Sequence, residues 1–364
     1  MKISRRFLRA SVIFLLLSIN VVIPQTSHAS SKDIISIVDL PHRNIGGDFI
    51  DDELSTSLLP TGTLGSLVFS PPSKPRTWLI DASLLDDVLA MPLENVAAKN
   101  WLAQLKYVTS NDDVFALAYG HPNLALAKRL APTELSYYFS TSKERLQSFL
   151  GREIFVDKKL SGSKLVETIQ ADRVLAYTLN RRAIALLATV IPASELYGVR
   201  LRLSTLLAPG YSKESAVKLA ANADEAINRQ KHKLRVVVGK YRLTSEKEKL
   251  PITLVNDFNT SVLVNLQIIP KNSRVQIAGV RDIILEPSSK KQLSIPITSI
   301  ATGPTTLFAQ LTNSKAVGIG ESAILSLNVS VISPAVAWFT TGSAILLFLG
   351  ALIQSVRRIR RSRK

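Results

Sequence analysis

The stretch RTWLIDASLLDDVLAM, Arg76–Met91, decides the fold class. Thr77 to Ile80 is a short apolar run of the kind that forms a buried strand. Asp81 follows at a helix N-cap position, and Leu84, Leu85 and Val88 then recur at helical spacing. A strand that turns at once into a helix is half of a βαβ unit. The pattern continues with NVAAKNWLAQLKYV, an amphipathic helix presenting Val96, Trp101, Leu102 and Leu105, and with DVFALAYG as a second strand. PNLALAKRLA reads as a helix, REIFVD as a strand, KLVETIQ as a short helix and RVLAYTLN as another strand. Residues 76–211 are therefore expected to form an α/β domain, either a partial barrel or an open parallel sheet. The segment is short of the ~250 residues of a complete eightfold barrel.

Outward from this domain the character of the chain changes on both sides. Residues 30–75 are rich in turn formers with only short apolar runs, and are expected to be a partly ordered arm. Residues 212–232 read as a connector helix, with Ser212 as N-cap, Glu214 in the first turn and Lys231 and Lys233 at its end. Residues 233–332 alternate apolar and polar positions: Val262, Val264, Leu266 and Ile268, then Leu293, Ile295 and Ile297, then Leu325, Leu327, Val329 and Val331. Such runs, separated by turn clusters, are antiparallel strands with one buried face, and roughly seven of them predict an immunoglobulin-like β-sandwich.

The two ends carry topology signals. Residues 1–29 read as a signal peptide, with Lys2, Arg5, Arg6 and Arg9 ahead of an apolar core and Ser27-His28-Ala29 as the cleavage site. Residues 335–356 lack formal charge and are expected to form one transmembrane helix. The tail 357–364 follows, with Arg357, Arg358, Arg360, Arg361, Arg363 and Lys364 marking a cytoplasmic side. These signals predict a single-pass plasma-membrane protein with an extracellular N-terminal ectodomain.

The formal charge of +17 is concentrated at the ends; without four basic residues of the leader and six of the tail, the body carries +7. That is mild, and no recognition helix or aromatic stacking sheet accompanies it, so nucleic acid is not an expected partner. The absence of cysteine excludes disulfides, thiol catalysis and cysteine-ligated metal.

The order TWLIDASLLDDV, VFALAYGHPNLALA, LRVVVGKYRLTSEKEKLPITLVNDFNTSVLVNLQI, apolar helix and RRIRRSRK resembles an uncharacterised actinobacterial family of secreted, membrane-anchored envelope proteins. Its members are usually encoded beside the lipid II flippase. The resemblance is strongest from Leu234 onward, with LPITLVNDF its most specific stretch. It implies a cell-envelope role, and the lack of converging ionisable groups makes a scaffold or binding role in cell-wall assembly the expectation, with the flippase, other wall-synthesis proteins or an anionic wall polymer as partners. Relatives carry Asp-Pro after the first strand and a Tyr-x-Asp-Pro-Asp turn after the second. Here these places read Asp81-Ala82 and Tyr119-Gly120-His121-Pro122-Asn123.

The alternative is a wall-polysaccharide hydrolase or deacetylase using strand-end residues. A glycosidase needs two carboxylates across the scissile bond, and the strand-end candidates are Asp81 and Asp157. Asp81 is well placed to cap the following helix instead, and Asp86 and Asp87 read as a solvated helix face. The histidines His28, His42, His121 and His232 show no metal-ligand spacing, and neither Gly65-Ser66 nor Gly162-Ser163 forms a GxSxG elbow. Phosphate-binding glycine loops are missing as well, so no catalytic residue, metal or cofactor is expected. Asp81, Tyr119, His121 and Asn123 are left as a binding face at the mouth of the α/β domain. Pro122 is expected to hold His121 extended.

Overall fold

The computed structural model describes residues 32–71, 74–156, 168–330 and 334–361. The signal-peptide segment 1–29 and Asp157 lie outside these described residues, as does most of KLVETIQ.

Three parallel strands come first among the described residues: β1 (Asp33–Ile37), β2 (Arg76–Ile80) and β3 (Asp113–Ala116), in the spatial order β1-β2-β3. Phe155 extends the row through a parallel bridge to Phe115. Strands that follow one another in space as they do in sequence, without reversal, are wound as an arc of a (β/α) barrel rather than as a doubly wound sheet with a switch point.

Helices α1 (Glu53–Ser57) and α2 (Thr63–Phe69) join β1 to β2; α3 (Ala82–Leu89) and α4 (Val96–Val108) join β2 to β3. After β3 come α5 (Leu124–Leu130) and the long α6 (Pro132–Leu150), which ends on Gly151 in the left-handed conformation. The first core lies between this arc and its helices, with Trp78, Leu85, Trp101 and Tyr138 fully buried. The segment 30–75, expected as a partly ordered arm, thus supplies β1 and two packed helices. Its apolar signal is weak because only Ile37 of β1 is buried, the strand lying at the edge of the arc.

The second core is built from α7 (Ala171–Leu187), α8 (Ala193–Arg202), a 3-10 turn (Leu203–Leu207) and α9 (Lys213–His232), together with the sandwich. The expected strand RVLAYTLN is the first half of α7. Its buried residues Arg173, Ala176, Tyr177, Asn180, Ile184 and Leu187 follow a helical rather than a two-residue period. Arg173 anchors this layer from within. Its guanidinium donates to the carbonyls of Thr205 and Ala208 and lies 4.4 Å from the centroid of the Tyr211 ring.

Nine strands form the sandwich: β4 (Leu234–Val236), β5 (Lys240–Leu243), β6 (Lys247–Asn256), β7 (Val262–Pro270), β8 (Val275–Ile277), β9 (Val280–Leu285), β10 (Ser289–Ser299), β11 (Gly303–Thr312) and β12 (Gly318–Val329). One layer runs β8-β10-β6 and the other β12-β11-β7-β9. β4 bridges the two layers, and β5 pairs in parallel with β12. Alternate residues of both layers meet inside. Asn256, in the LPITLVNDF stretch, is fully buried; its amide donates to the carbonyls of Thr260, Leu285 and Glu286, and its Oδ1 accepts from Phe258 N–H. One side chain therefore ties the turn after β6 to the end of β9.

The two cores are not separated at the expected connector. Ile45, carried on the loop between the bridged residues Arg43 and Phe49, is fully buried in the second core. Arg202 donates to the Ile45 and Gly46 carbonyls at 2.9 and 3.2 Å and clamps that loop.

The C-terminal helix α10 (Pro334–Arg361) is present, but among the described residues no helix is long and apolar enough to cross a membrane. The polar and small run Thr340-Thr341-Gly342-Ser343 leaves Ala344–Ile353 as the uninterrupted apolar stretch. Its ten residues span about 15 Å at 1.5 Å per residue, against ~30 Å of hydrocarbon. This corrects the expected transmembrane helix over 335–356, and with it the single-pass plasma-membrane placement and the cytoplasmic assignment of the tail. Arg357, Arg358, Arg360 and Arg361 belong to α10, whereas Arg363 and Lys364 lie outside the described residues.

Candidate functional site

The C-terminal ends of β1, β2 and β3 converge on a polar cluster, the place where barrel-type folds hold their chemistry. Asp81 stands immediately after β2 and is 1 % exposed. Its Oδ1 accepts from Ser83 N–H at 2.8 Å and Gly120 N–H at 3.0 Å, and its Oδ2 accepts from Ser83 Oγ at 2.7 Å. The carboxylate therefore caps α3 and fastens the β3–α5 turn to the end of β2. Burial pushes its carboxyl up, opposed by the bonds from Ser83, the charge of His121 and the Gly120 amide.

That turn runs from Ala118 to His121, with His121 N–H donating to the Ala118 carbonyl. Gly120 takes φ +73°, and a Cβ there would run into the Ser204 hydroxyl, so glycine is required both by conformation and by close approach. His121 itself has φ 42° and is left-handed, not extended as expected from Pro122. Proline disfavours the right-handed helical region for its predecessor, and the turn hydrogen bond selects the left-handed alternative. Tyr119 is buried, its hydroxyl donating to Asp86 Oδ2 at 3.0 Å. Asn123 caps α5 by accepting from Leu126 N–H. Of the four residues expected at a binding face, Asp81, Tyr119 and Asn123 thus hold structure together, and His121 is half-buried on the rim.

Sequence reasoning missed the rest of the cluster. Asp87 is 4 % exposed and accepts from His42 N–H at 3.1 Å, so the expectation of a solvated Asp86/Asp87 face is corrected. The signal was present: Asp87 shares a helical face with Leu84, Val88 and Met91. Burial pushes the Asp87 carboxyl up to about 7 against the favourable His42 amide and Arg43 charge. Burial also raises Asp86, opposed by Arg145, 3.8 Å away, and by Tyr119. His42, buried between Asp51 at 2.7 Å and Asp39 at 3.5 Å, is pushed up to about 9: burial works against its charge, but the two carboxylates outweigh it. Among the described residues no group of three or more His, Asp or Glu side chains is placed to hold a metal ion.

These groups set a pH dependence whose sign is definite. Asp87 is more readily protonated folded than unfolded, so it contributes stability below its ordinary 3.8 that is lost as pH rises through about 7. His42 contributes stability fully present below 6.5 and lost as pH rises through about 9. Both act in one direction. The melting temperature is expected to fall by several degrees between pH 5 and pH 9, and Asp87→Asn to flatten the part below pH 7. A melting temperature rising with pH across this window would contradict the assignment.

Fold and site together define a two-core protein: a barrel-like α/β arc closed by internally bonded carboxylates, followed by a helical layer and an immunoglobulin-like β-sandwich. Residues 194–364, from α8 to the C-terminus, match a family of unknown function, DUF6049. No curated protein matches the chain. Similar solved structures include WR4, an MSP family member of C. elegans, at 13% identity over 27% of this chain and 97% of that one, with a TM-score of 0.21. SSP-19, an MSP-domain protein like family member of Caenorhabditis elegans, is 16% identical over 25% of this chain and 94% of that one, with a TM-score of 0.21. The E. coli chaperone DraB is 9% identical over 26% of this chain and 53% of that one, with a TM-score of 0.20.

Proposed function

We propose that this protein is a non-catalytic binding or scaffold protein of the bacterial cell envelope, working in cell-wall assembly with a wall-synthesis protein, such as the lipid II flippase, or with an anionic wall polymer. The observation that carries this reading is the enclosure of Asp81, 1 % exposed and engaged by three internal hydrogen bonds, two of them from backbone amides. A general acid or nucleophile needs a lone pair or proton free to face substrate. Asp86 and Asp87 are likewise turned to partners within the fold. The mild positive charge of the body suits acidic partners, and the resemblance of the C-terminal part to envelope proteins supports the reading. In-cell crosslinking followed by mass spectrometry is expected to recover a wall-synthesis or flippase component. Reproducible failure to recover one counts against the envelope role.

A further inference from the structure

The outer face of the β5-β12-β11-β7 sheet is layered in a way that the packing of the sandwich does not require. Ser326 lies opposite Lys240 on one side and Thr306 on the other, and Lys271 N–H donates to the Thr306 carbonyl. Lys240, Ser326, Thr306 and Lys271 therefore form one row across four strands, with two lysines bracketing two hydroxyls. At about 4.8 Å per strand the lysine α-carbons are about 14 Å apart, near enough for two extended side chains to close over a group between them. This row lines a concavity of 610 Å³, within the usual range of small-molecule sites, and no carboxylate lines it.

Two residues away on the same strands the character inverts. Ile324, Phe308 and Ile269 lie opposite one another, with Val238 two residues before Lys240. Ile324, Phe308 and Ile269 are 54, 42 and 52 % exposed, a continuous apolar row open to solvent, and Val238 beyond the start of β5 is 70 % exposed. A cation-and-hydroxyl row beside an apolar row, offset by about 7 Å, matches a molecule with an anionic head and a hydrocarbon tail. The concavity of 680 Å³ beside Trp78 and Tyr107 offers no such pairing. There the Arg76 guanidinium is spent on the Leu67 and Ser70 carbonyls, and the Trp78 indole on Asp112.

We infer that this face of the sandwich is a binding site for an anionic amphiphile, the lysine row holding the head group and the Ile324–Phe308–Ile269 row the tail. The inference rests on the reading of the protein as a binding module and gives that module a ligand class. Titration calorimetry of the full chain with decyl phosphate below its micelle concentration, alongside inorganic phosphate and decyl glucoside, tests it. Decyl phosphate is expected to bind saturably at one site and at least about tenfold more tightly than either half-analogue. The double variant Lys240→Gln with Lys271→Gln is expected to lose on the order of tenfold for decyl phosphate and nothing for decyl glucoside. Phe308→Gln is expected to weaken both amphiphiles. All three positions are exposed, and unchanged melting temperatures check that the variants fold. Absence of saturable binding, indifference to the lysines, or inorganic phosphate binding as tightly as decyl phosphate would each overturn the inference. Those results leave the crosslinking experiment to judge the envelope role separately.

Discussion

Asp81→Ala is expected to lower unfolding stability by on the order of 3 kcal/mol, whereas Asp81→Asn stays within about 1 kcal/mol of wild type. Alanine leaves the Ser83 and Gly120 amides without the oxygen they share and strips the cap from α3. Asparagine keeps that oxygen, because both amides bond to Oδ1, and turns its amide toward the Ser83 hydroxyl, which accepts as readily as it donates. It also removes a buried charge. A catalytic carboxylate gives the opposite ranking of concern, since asparagine then destroys function however well it preserves the fold. Denaturant midpoints of the two variants check the expectation, and an Asn variant as unstable as the Ala variant would contradict it.

Ile45→Ala is expected to cost about 2–5 kcal/mol and to uncouple the two halves of the chain. The side chain comes from the loop just after β1 yet is buried in the core of α7, α8, α9 and the sandwich. Truncation leaves a cavity where the loop joins that core, and only polar clamps then hold the loop there, Arg202 through its carbonyls and Arg229 through Asp48 at 3.7 Å. Differential scanning calorimetry is expected to show a lower first transition separating from a second that is little changed. One unshifted transition would mean that Ile45 does not couple the cores.

What could be read in the sequence followed from regular periodicity. β2 with α3, β3 with α5, and the alternating strands β7, β10 and β12 were legible because their apolar residues recur at one period between clear turn signals. RVLAYTLN misleads because eight residues with apolar positions two apart fit a strand, and the helical period emerges only when Ile184 and Leu187 are included. β1 was hidden because an edge strand with one buried residue carries almost no pattern. Of the candidate site, the capping role of Asp81 followed from its position before a helix. The burial of Asp87 could be read from the helical face it shares with Leu84 and Val88, but its His42 partner and the charged setting of His42 depend on β1 and its following loop folding back over α3. That long-range contact leaves no local trace, and a left-handed His121 is set by a turn hydrogen bond rather than by Pro122 alone.

The role of the strand-end carboxylates is tested most directly by incubating wild type and Asp81→Asn with peptidoglycan and with arabinogalactan and measuring soluble sugar. A structural Asp81 predicts that neither protein releases sugar above a buffer control while both keep the same unfolding midpoint within about 1 kcal/mol. Reproducible release by wild type that disappears in Asp81→Asn would contradict it and make the α/β arc an enzyme.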